Sequence, residues 1–232
     1  MLFRSTSLTK APELPATILS GNYYDGAFQA SHCYDSMFLG CTSLAEAPAL
    51  PATTLAQYCY SGMFRGCTSL TEAPALPATT LADYCYNQMF YDCTSLTKAP
   101  ALPATTLASN CYDSMFGGCT SLTKAPALPA TTLSTNCYEN MFGGCTSLTE
   151  APALSATTLV TGCYSIMFRG CSSLNKVRCK MPSTISEGDI SSYTYDWLER
   201  VSSTGTFYTN ADANWSSGSI SGIPTGWRRV NT

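Results

Sequence analysis

The sequence predicts an α/β fold: a right-handed solenoid of 26-residue coils, with a parallel sheet on one face, short helices on the other and a small C-terminal cap. Three series of residues support this prediction, since each recurs every 26 positions without a slip. The first is the cysteine of each Cys-Tyr pair, at 33, 59, 85, 111, 137 and 163. The others are a second cysteine, at 41, 67, 93, 119, 145 and 171, and a leucine, at 44, 70, 96, 122, 148 and 174.

Each coil is predicted to contain one short strand. In the third coil, the apolar residues Leu70, Ala73 and Leu76 follow a pattern close to L-x-x-L-x-L and are expected to face inward. Pro74 and Pro77 bound this strand, because proline has no N–H to donate to a neighbouring strand. The strand is therefore expected to be short.

A short helix is predicted to follow each strand. After a corner at Leu81, the segment 82–90 has room for about two helical turns. Cys85 and Met89 are four residues apart, so they would share one face of that helix. Glycines are then expected to end the helices as C-caps, at Gly66, Gly118, Gly144 and Gly170.

The two ends of the chain depart from the repeat. The solenoid is assigned to 1–178, with an irregular first coil at 1–40 whose segment 22–38 is predicted to be one longer helix. Residues 179–232 are assigned to a capping segment that covers the last apolar layer. Within the cap, 193–201 is predicted to be helical, and the stretches GTFYT and GWRRV to be strands.

Composition excludes several classes of function. Charged residues make up only 12% of the chain and the net charge is −3, without a basic stripe, so nucleic acid is not an expected partner. The chain contains no run of about 18 apolar residues, so no membrane span is predicted. The N-terminus has no apolar segment typical of a signal peptide, although the expected location is extracellular.

The thirteen cysteines are predicted to be two ladders of buried free thiols, with disulfides within or between coils as the alternative. Zinc is not expected, because the repeated spacing is C-x7-C and the single histidine, His32, belongs to no recurring ligand set. His32 precedes Cys33, but Cys33 is interpreted as the first rung of its ladder. No catalytic motif is present, so neither a catalytic residue nor a cofactor is predicted.

Two sets of residues are candidates for binding. The first is a charged position in each predicted strand, which is either a solvated row or a binding face; its candidate residues are Glu46, Glu72, Lys98, Lys124 and Glu150. The alternative lies on the helical face, at Tyr58 and Tyr84, where the residue type varies between coils. A row of tyrosines that follow cysteine could present its rings to sugars, but is expected instead to pack between helices with its hydroxyls at the surface, at Tyr34, Tyr60, Tyr86, Tyr112, Tyr138 and Tyr164.

The coil C-Y-x-x-M-F-x-G-C-T-S-L-T-x-A-P-x-L-P resembles the BspA-like class of bacterial leucine-rich repeats over roughly residues 1–178. The resemblance implies a leucine-rich-repeat solenoid, no catalytic residues, and a role in adhesion at the cell surface. The expected function is thus a non-enzymatic, monomeric binding or adhesion module for a protein or glycan, at the cell surface or outside the cell. The alternatives are a structural array in a phage virion and, third, an enzyme.

Overall fold

The stacking of the coils follows the predicted register. The structure, a computed structural model, describes residues 5–19, 32–156, 158–180, 192–211, 213, 215–218 and 220–232. The backbone N–H of Tyr60 donates to the carbonyl of Cys85 at 3.0 Å, and one coil later the N–H of Tyr86 donates to Cys111 at 3.1 Å. Coils separated by 26 residues are therefore direct neighbours, which confirms the repeat architecture.

Identical side chains stack on one another to form the core. The phenylalanine rings of successive coils lie 5.6–5.7 Å apart and nearly parallel, and the rings at 64, 90, 116, 142 and 168 are fully buried. The leucine series is also fully buried from Leu44 to Leu174. As predicted, Leu76 is buried, and the half-buried Ala73 packs against the core. Each coil thus covers the apolar layer of the next.

The prediction of short helices is wrong, because these segments are runs of consecutive turns. A residue with positive φ recurs at every fourth position: φ is +57° at Tyr58, +57° at Gly62 and +72° at Gly66. A right-handed helix requires negative φ at every residue, so it cannot continue through these positions. The turn runs span 33–40, 57–66, 83–92, 109–118, 135–144 and 161–170.

Hydrogen bonding explains why the turn runs are stable. The N–H groups of Ser61 and Met63 close turns onto Tyr58 and Tyr60, three residues earlier, at 3.1 and 3.2 Å. The N–H groups between them donate to the next coil instead; that of Gly62, for example, reaches the carbonyl of Asn87 at 2.8 Å. A helix would satisfy these donors internally, whereas the turn run uses half of them to join the coils.

On the opposite face, the expected parallel sheet is reduced to isolated bridges over most of the solenoid. Single parallel bridges join Lys10 to Glu46, Glu72 to Lys98 and Glu150 to Lys176. Two residues after the charged position stands a proline, as at Pro74 and Pro152, and its missing N–H stops the ladder from growing. The strands are therefore even shorter than the sequence suggested.

Regular strands form only where that proline is absent. In the part of the chain that the structure describes, the strands are β1, Lys176–Arg178, β2, Gly205–Thr209, and β3, Trp227–Asn231. They pair in parallel in the order β1-β2-β3, with Val177 opposite Phe207. In β1, Arg178 takes the place of the proline, so its backbone N–H is available. β2 and β3 confirm the two strands predicted in the cap.

The cap continues the turn architecture rather than forming the predicted helix at 193–201. Residues 195–200 are turns, with positive φ at Asp196 and Arg200, and the N–H of Phe168 donates to the carbonyl of Trp197 at 2.9 Å. Trp197 is fully buried and packs against the rings of Phe207 and Trp215. The boundary at residue 178 stays a prediction.

The longer helix predicted over 22–38 lies mostly outside the described residues. Within the part that is described, 33–38 form turns with positive φ at Ser36, so this portion of the prediction is wrong for the same reason as in the other coils.

Candidate functional site

The charged row lies on the face that carries the bridges, and most of it is exposed. We define the charged row as Lys10, Glu46, Glu72, Lys98, Lys124, Glu150 and Lys176; all are exposed except Lys176, which is half-buried. The bridges bring opposite charges together. The Nζ of Lys98 lies 3.3 Å from Glu72, that of Lys10 lies 3.5 Å from Glu46, and that of Lys176 lies 2.8 Å from Glu150. In these three pairs of adjacent coils, the opposite charges thus neutralise each other.

Lys124 breaks this pattern. Among the described members of the charged row, it has no ion-pair partner, because Lys98 pairs with Glu72 and Glu150 pairs with Lys176. The preceding coil presents Lys98, a like charge, at the equivalent position. The row therefore carries an excess of positive charge at its centre, where two lysines belong to adjacent coils.

A groove of about 500 Å³ opens at this step. Its walls are the strand segments of two adjacent coils, and the side chains of Lys98 and Lys124 contribute to both sides of its rim. The rest of its lining is largely alanine and proline, including Pro100, Pro103 and Pro126. Rigid apolar walls beside two cations are suited to an extended ligand that carries a negative charge.

Smaller grooves with the same alanine and proline lining occur nearer the N-terminus. One of about 380 Å³ includes Lys10 and Glu46, and another of about 410 Å³ lies between 47–51 and 74–77. The sequence reading singled out the charges and missed these apolar walls. The repeated A-P-A-L-P stretch was the available signal, since prolines that end a strand early leave an unpaired surface beside it.

The alternative candidates, Tyr58 and Tyr84, stack on each other at the outer surface of the turn runs. Their ring centroids are 4.5 Å apart, and His32 stacks on the other face of Tyr58 at 4.7 Å. Both tyrosines are half-buried and lie outside the hydrophobic core. Partial burial, followed by the neighbouring Tyr84, raises the pKa of Tyr58. The structure therefore brings His32, Tyr58 and Tyr84 into one aromatic column, a grouping that the sequence reading did not find.

The tyrosines that follow each cysteine are part of the core. Tyr60, Tyr86 and Tyr112 are at most 1% exposed, and successive rings lie 5.7–6.0 Å apart. The expectation that their hydroxyls reach the surface is wrong for Tyr60 and Tyr86, whose buried hydroxyl oxygens have no hydrogen-bond partner in the described structure. Burial raises the pKa of both side chains. This row does not present rings to a ligand.

Twelve of the thirteen cysteines form the two predicted ladders of free thiols, and these are buried except for Cys33, which is exposed. Cys179 is also buried and lies outside both ladders. In the second ladder, the thiol of Cys93 donates to the carbonyl of Phe64 in the preceding coil at 3.0 Å, and Cys119 donates likewise to Phe90 at 3.1 Å. Burial raises the pKa of Cys67 and Cys171 to about 12. These thiols are protonated packing groups, not nucleophiles or metal ligands.

Neither a metal site nor a membrane-spanning helix is found among the described residues. Across the described residues, no group of three or more His, Cys, Asp or Glu side chains is placed to hold a metal ion. The same residues contain no helix whose length and apolarity would let it cross a membrane.

Comparison with known proteins identifies the repeat. The profile of the BspA type leucine rich repeat region matches in six copies, over residues 29–148 and 64–201. No curated protein and no solved structure matches the chain. The two matched ranges together cover well over half of the sequence, and they contain every complete cysteine, leucine and phenylalanine rung described above. The chain therefore belongs to the BspA-type leucine-rich-repeat family.

Proposed function

We propose that this chain is a non-catalytic adhesion module that recognises an acidic, extended segment of a partner at the cell surface. The observation that carries the proposal is the groove between two coils that both present lysine, Lys98 and Lys124. The other described members of the charged row form ion pairs between adjacent coils, Lys10 with Glu46, Glu72 with Lys98 and Glu150 with Lys176, so within that row the unpaired charge, on Lys124, lies at this step beside an apolar wall. Family membership supports a binding role, because BspA-type repeats typically belong to surface binding proteins.

The chemistry of the groove favours a carboxylate on an extended chain. A carboxylate held near Lys124 would neutralise a lysine that has no ion-pair partner within the described charged row. An extended backbone can lie along the alanine and proline walls, which are rigid and cost little entropy to order. The positive charge also accelerates the encounter with an acidic partner, so we expect affinity to fall as salt rises.

The test is a double charge reversal, Lys98→Glu with Lys124→Glu. Both side chains are exposed, and substitutions at exposed positions usually change stability by less than about 0.5 kcal/mol each, so we expect a melting temperature close to that of the wild type. Binding to whichever proteins or glycans the wild type recognises in an extracellular-matrix and glycan array should fall at least about tenfold.

A matched control reverses two charges away from the groove, Lys180→Glu with Arg228→Glu. These residues are also exposed, and the net charge changes equally, so a general loss of attraction would appear in both variants. If the groove variant folds and binds as tightly as the control, the binding site lies elsewhere. If the groove variant unfolds, the outward orientation of the charged row is wrong.

A further inference from the structure

The aromatic column formed by His32, Tyr58 and Tyr84 lies where the fold does not require aromatic residues. The three occupy equivalent positions in successive coils, 26 residues apart, and each has positive φ. The next three coils have Asn110, Asn136 and Gly162 there, also with positive φ. Asparagine and glycine tolerate this conformation and histidine adopts it more readily than most residues, whereas for tyrosine it is an outlier.

The hydrophobic core does not compensate for this strain, and the rings are stabilised by stacking on one another. Tyr58 and Tyr84 are not part of the hydrophobic core or of the partly buried shell around it, unlike Tyr60 and Tyr86 in the same coils. Their large apolar surfaces instead stack on each other at 4.5 Å, with planes 12° apart. Residues with backbone strain cluster at active sites and ligand-binding sites.

At the end of the column, one face of the Tyr84 ring is not covered by another ring. His32 and Tyr84 lie on the two faces of Tyr58, so the open end on the solenoid side is the face of Tyr84 toward the fourth coil. The equivalent position there is Asn110, which has no ring, and its neighbour is Ser109. The backbone continues in register at this step, since the N–H of Tyr84 donates to the carbonyl of Ser109 at 3.0 Å. The position that follows Tyr84 in the column is therefore occupied by short polar side chains, those of Asn110 and Ser109.

We propose that this end of the column is a saccharide-binding site in which a pyranose ring stacks on Tyr84 as the next rung, above Asn110. A sugar ring has an apolar C–H face that packs on an aromatic ring and a rim of hydroxyls that need hydrogen-bond partners. Three polar groups are adjacent to the column in the sequence: the Asn110 amide, the Ser109 hydroxyl, which lies 3.0 Å from the Ser134 hydroxyl, and the Asp83 carboxylate, whose Oδ1 accepts from the Ser109 N–H at 2.9 Å. The Asn110 side chain makes no hydrogen bond within the described structure, although the residue is only 8% exposed.

The chemistry of the rim distinguishes a sugar from other flat ligands. The charged residue next to Tyr84 is Asp83, which disfavours a nucleotide or another anionic ring. A peptide aromatic side chain could stack equally well, but its ring has no hydroxyl rim to pair with an amide, a hydroxyl and a carboxylate together. This site lies on the turn runs and not among the strand segments that line the Lys98–Lys124 groove, so it is independent of the proposed function.

The experiment measures binding of the full chain to three neutral oligosaccharides, cellohexaose, maltohexaose and chitohexaose, by saturation-transfer NMR and calorimetry. The test variant is Tyr84→Asn, which installs the residue type that the fourth coil has at this position. Because asparagine tolerates positive φ, we expect the variant to melt at or above the wild-type temperature. We expect it to bind the recognised oligosaccharide at least about tenfold more weakly.

The matched control is Tyr91→Gly, which removes a half-buried tyrosine from the same turn run and installs the residue of the fourth coil, Gly117. It should bind like the wild type, because Tyr91 is not in the column. Three outcomes would overturn the proposal: no oligosaccharide binds the wild type, Tyr84→Asn binds as well as Tyr91→Gly, or a Gly-Tyr-Gly-Tyr-Gly peptide binds through Tyr84 while the sugars do not.

Discussion

At the scale of single residues, repetition turns the cysteine into a packing group. In the second ladder, each thiol from Cys67 to Cys171 donates to a phenylalanine carbonyl of the preceding coil, so its size and its weak S–H donor are used identically in every coil. A side chain larger than cysteine would clash in every coil. A stronger side-chain donor at this position would need a better acceptor than the phenylalanine carbonyl, which already accepts a hydrogen bond from a backbone N–H. That carbonyl, at Phe64, also accepts from the N–H of Cys67 at 3.0 Å.

The buried ladders predict a specific pattern of thiol reactivity. With pKa values raised to about 12, as at Cys67, the buried thiols carry almost no thiolate at neutral pH. Titration of native protein with a thiol reagent should show one fast-reacting group, Cys33, and titration after denaturation without reductant should show all thirteen. Fewer than thirteen thiols in the denatured protein would mean that disulfides are present.

Asp113 predicts a pH dependence of stability. Partial burial raises the pKa of this carboxyl, despite hydrogen bonds from Ser114 at 2.7 Å and from the Asn87 amide at 3.0 Å. Since the folded protein holds this proton more tightly than the unfolded chain, the stabilisation is complete below the ordinary carboxyl pKa of about 4 and is lost as pH rises through the higher folded value.

The variant Asp113→Asn removes that titration, so its melting temperature should rise relative to wild type between pH 3.5 and pH 7. Thermal melts across this range measure the difference directly. The prediction is wrong if the difference in melting temperature between Asp113→Asn and the wild type stays constant, or if the wild type becomes relatively more stable as pH rises.

At the scale of elements, the turn run is the feature that organises the solenoid. The residues with positive φ donate their own N–H groups to the next coil, as Gly62 does to the carbonyl of Asn87 at 2.8 Å, so local conformation and stacking depend on the same residues. Asn136, Asn140 and Gly144 show the pattern most clearly, because all three are residue types that tolerate positive φ. The four-residue recurrence of such residues was the sequence signal for turns.

Gly144 tests the importance of this conformation. Its φ is +73°, and a β-carbon there would meet its nearest neighbour, the backbone N of Gly118, at 3.7 Å, so space is not the constraint. Gly144→Ala should therefore cost about 1–2 kcal/mol through backbone strain alone. Gly144→Asn should cost less, because asparagine tolerates this region better. Urea denaturation would measure both values, and equal losses would show that strain is not the cause.

At the scale of the whole molecule, the C-terminal segment acts as the cover of the last coil. The backbone of Phe168 donates to Trp197, and the N–H of Thr206 in β2 donates to the carbonyl of Asn175 at 2.8 Å. Trp197 and Phe207 are fully buried, so they protect the apolar layer that another coil would otherwise cover. In a repeat array such a cover is needed for solubility.

Removal of residues 179–232 should therefore cause aggregation or loss of cooperative unfolding, measured by size-exclusion chromatography and thermal circular dichroism. A milder variant, Trp197→Ala, keeps the backbone and should lower stability by about 3–5 kcal/mol through lost burial. A soluble truncation with an unchanged melting profile would make the segment an independent appendage.

The sequence alone determined the period, the register and most of the core. A 26-residue spacing kept by cysteine and leucine leaves only one way to superpose the coils, and apolar side chains at these positions must be buried between them. It also indicated that the strands would be short, since prolines such as Pro74 remove backbone donors wherever they occur.

Only the tertiary structure decided whether these segments are helices or turns. That choice also decided which side chains lie at the surface. Cys85 and Met89, four residues apart, share a face in a helix and in a run of four-residue turns alike. The N–H groups that favour turns find their acceptors in the next coil, as Gly62 does at Asn87, so the preference appears only once the coils stack. The turn geometry then buries Tyr60 and leaves Tyr58 outside the core, two residues apart, because each side chain's direction depends on the φ of its own residue.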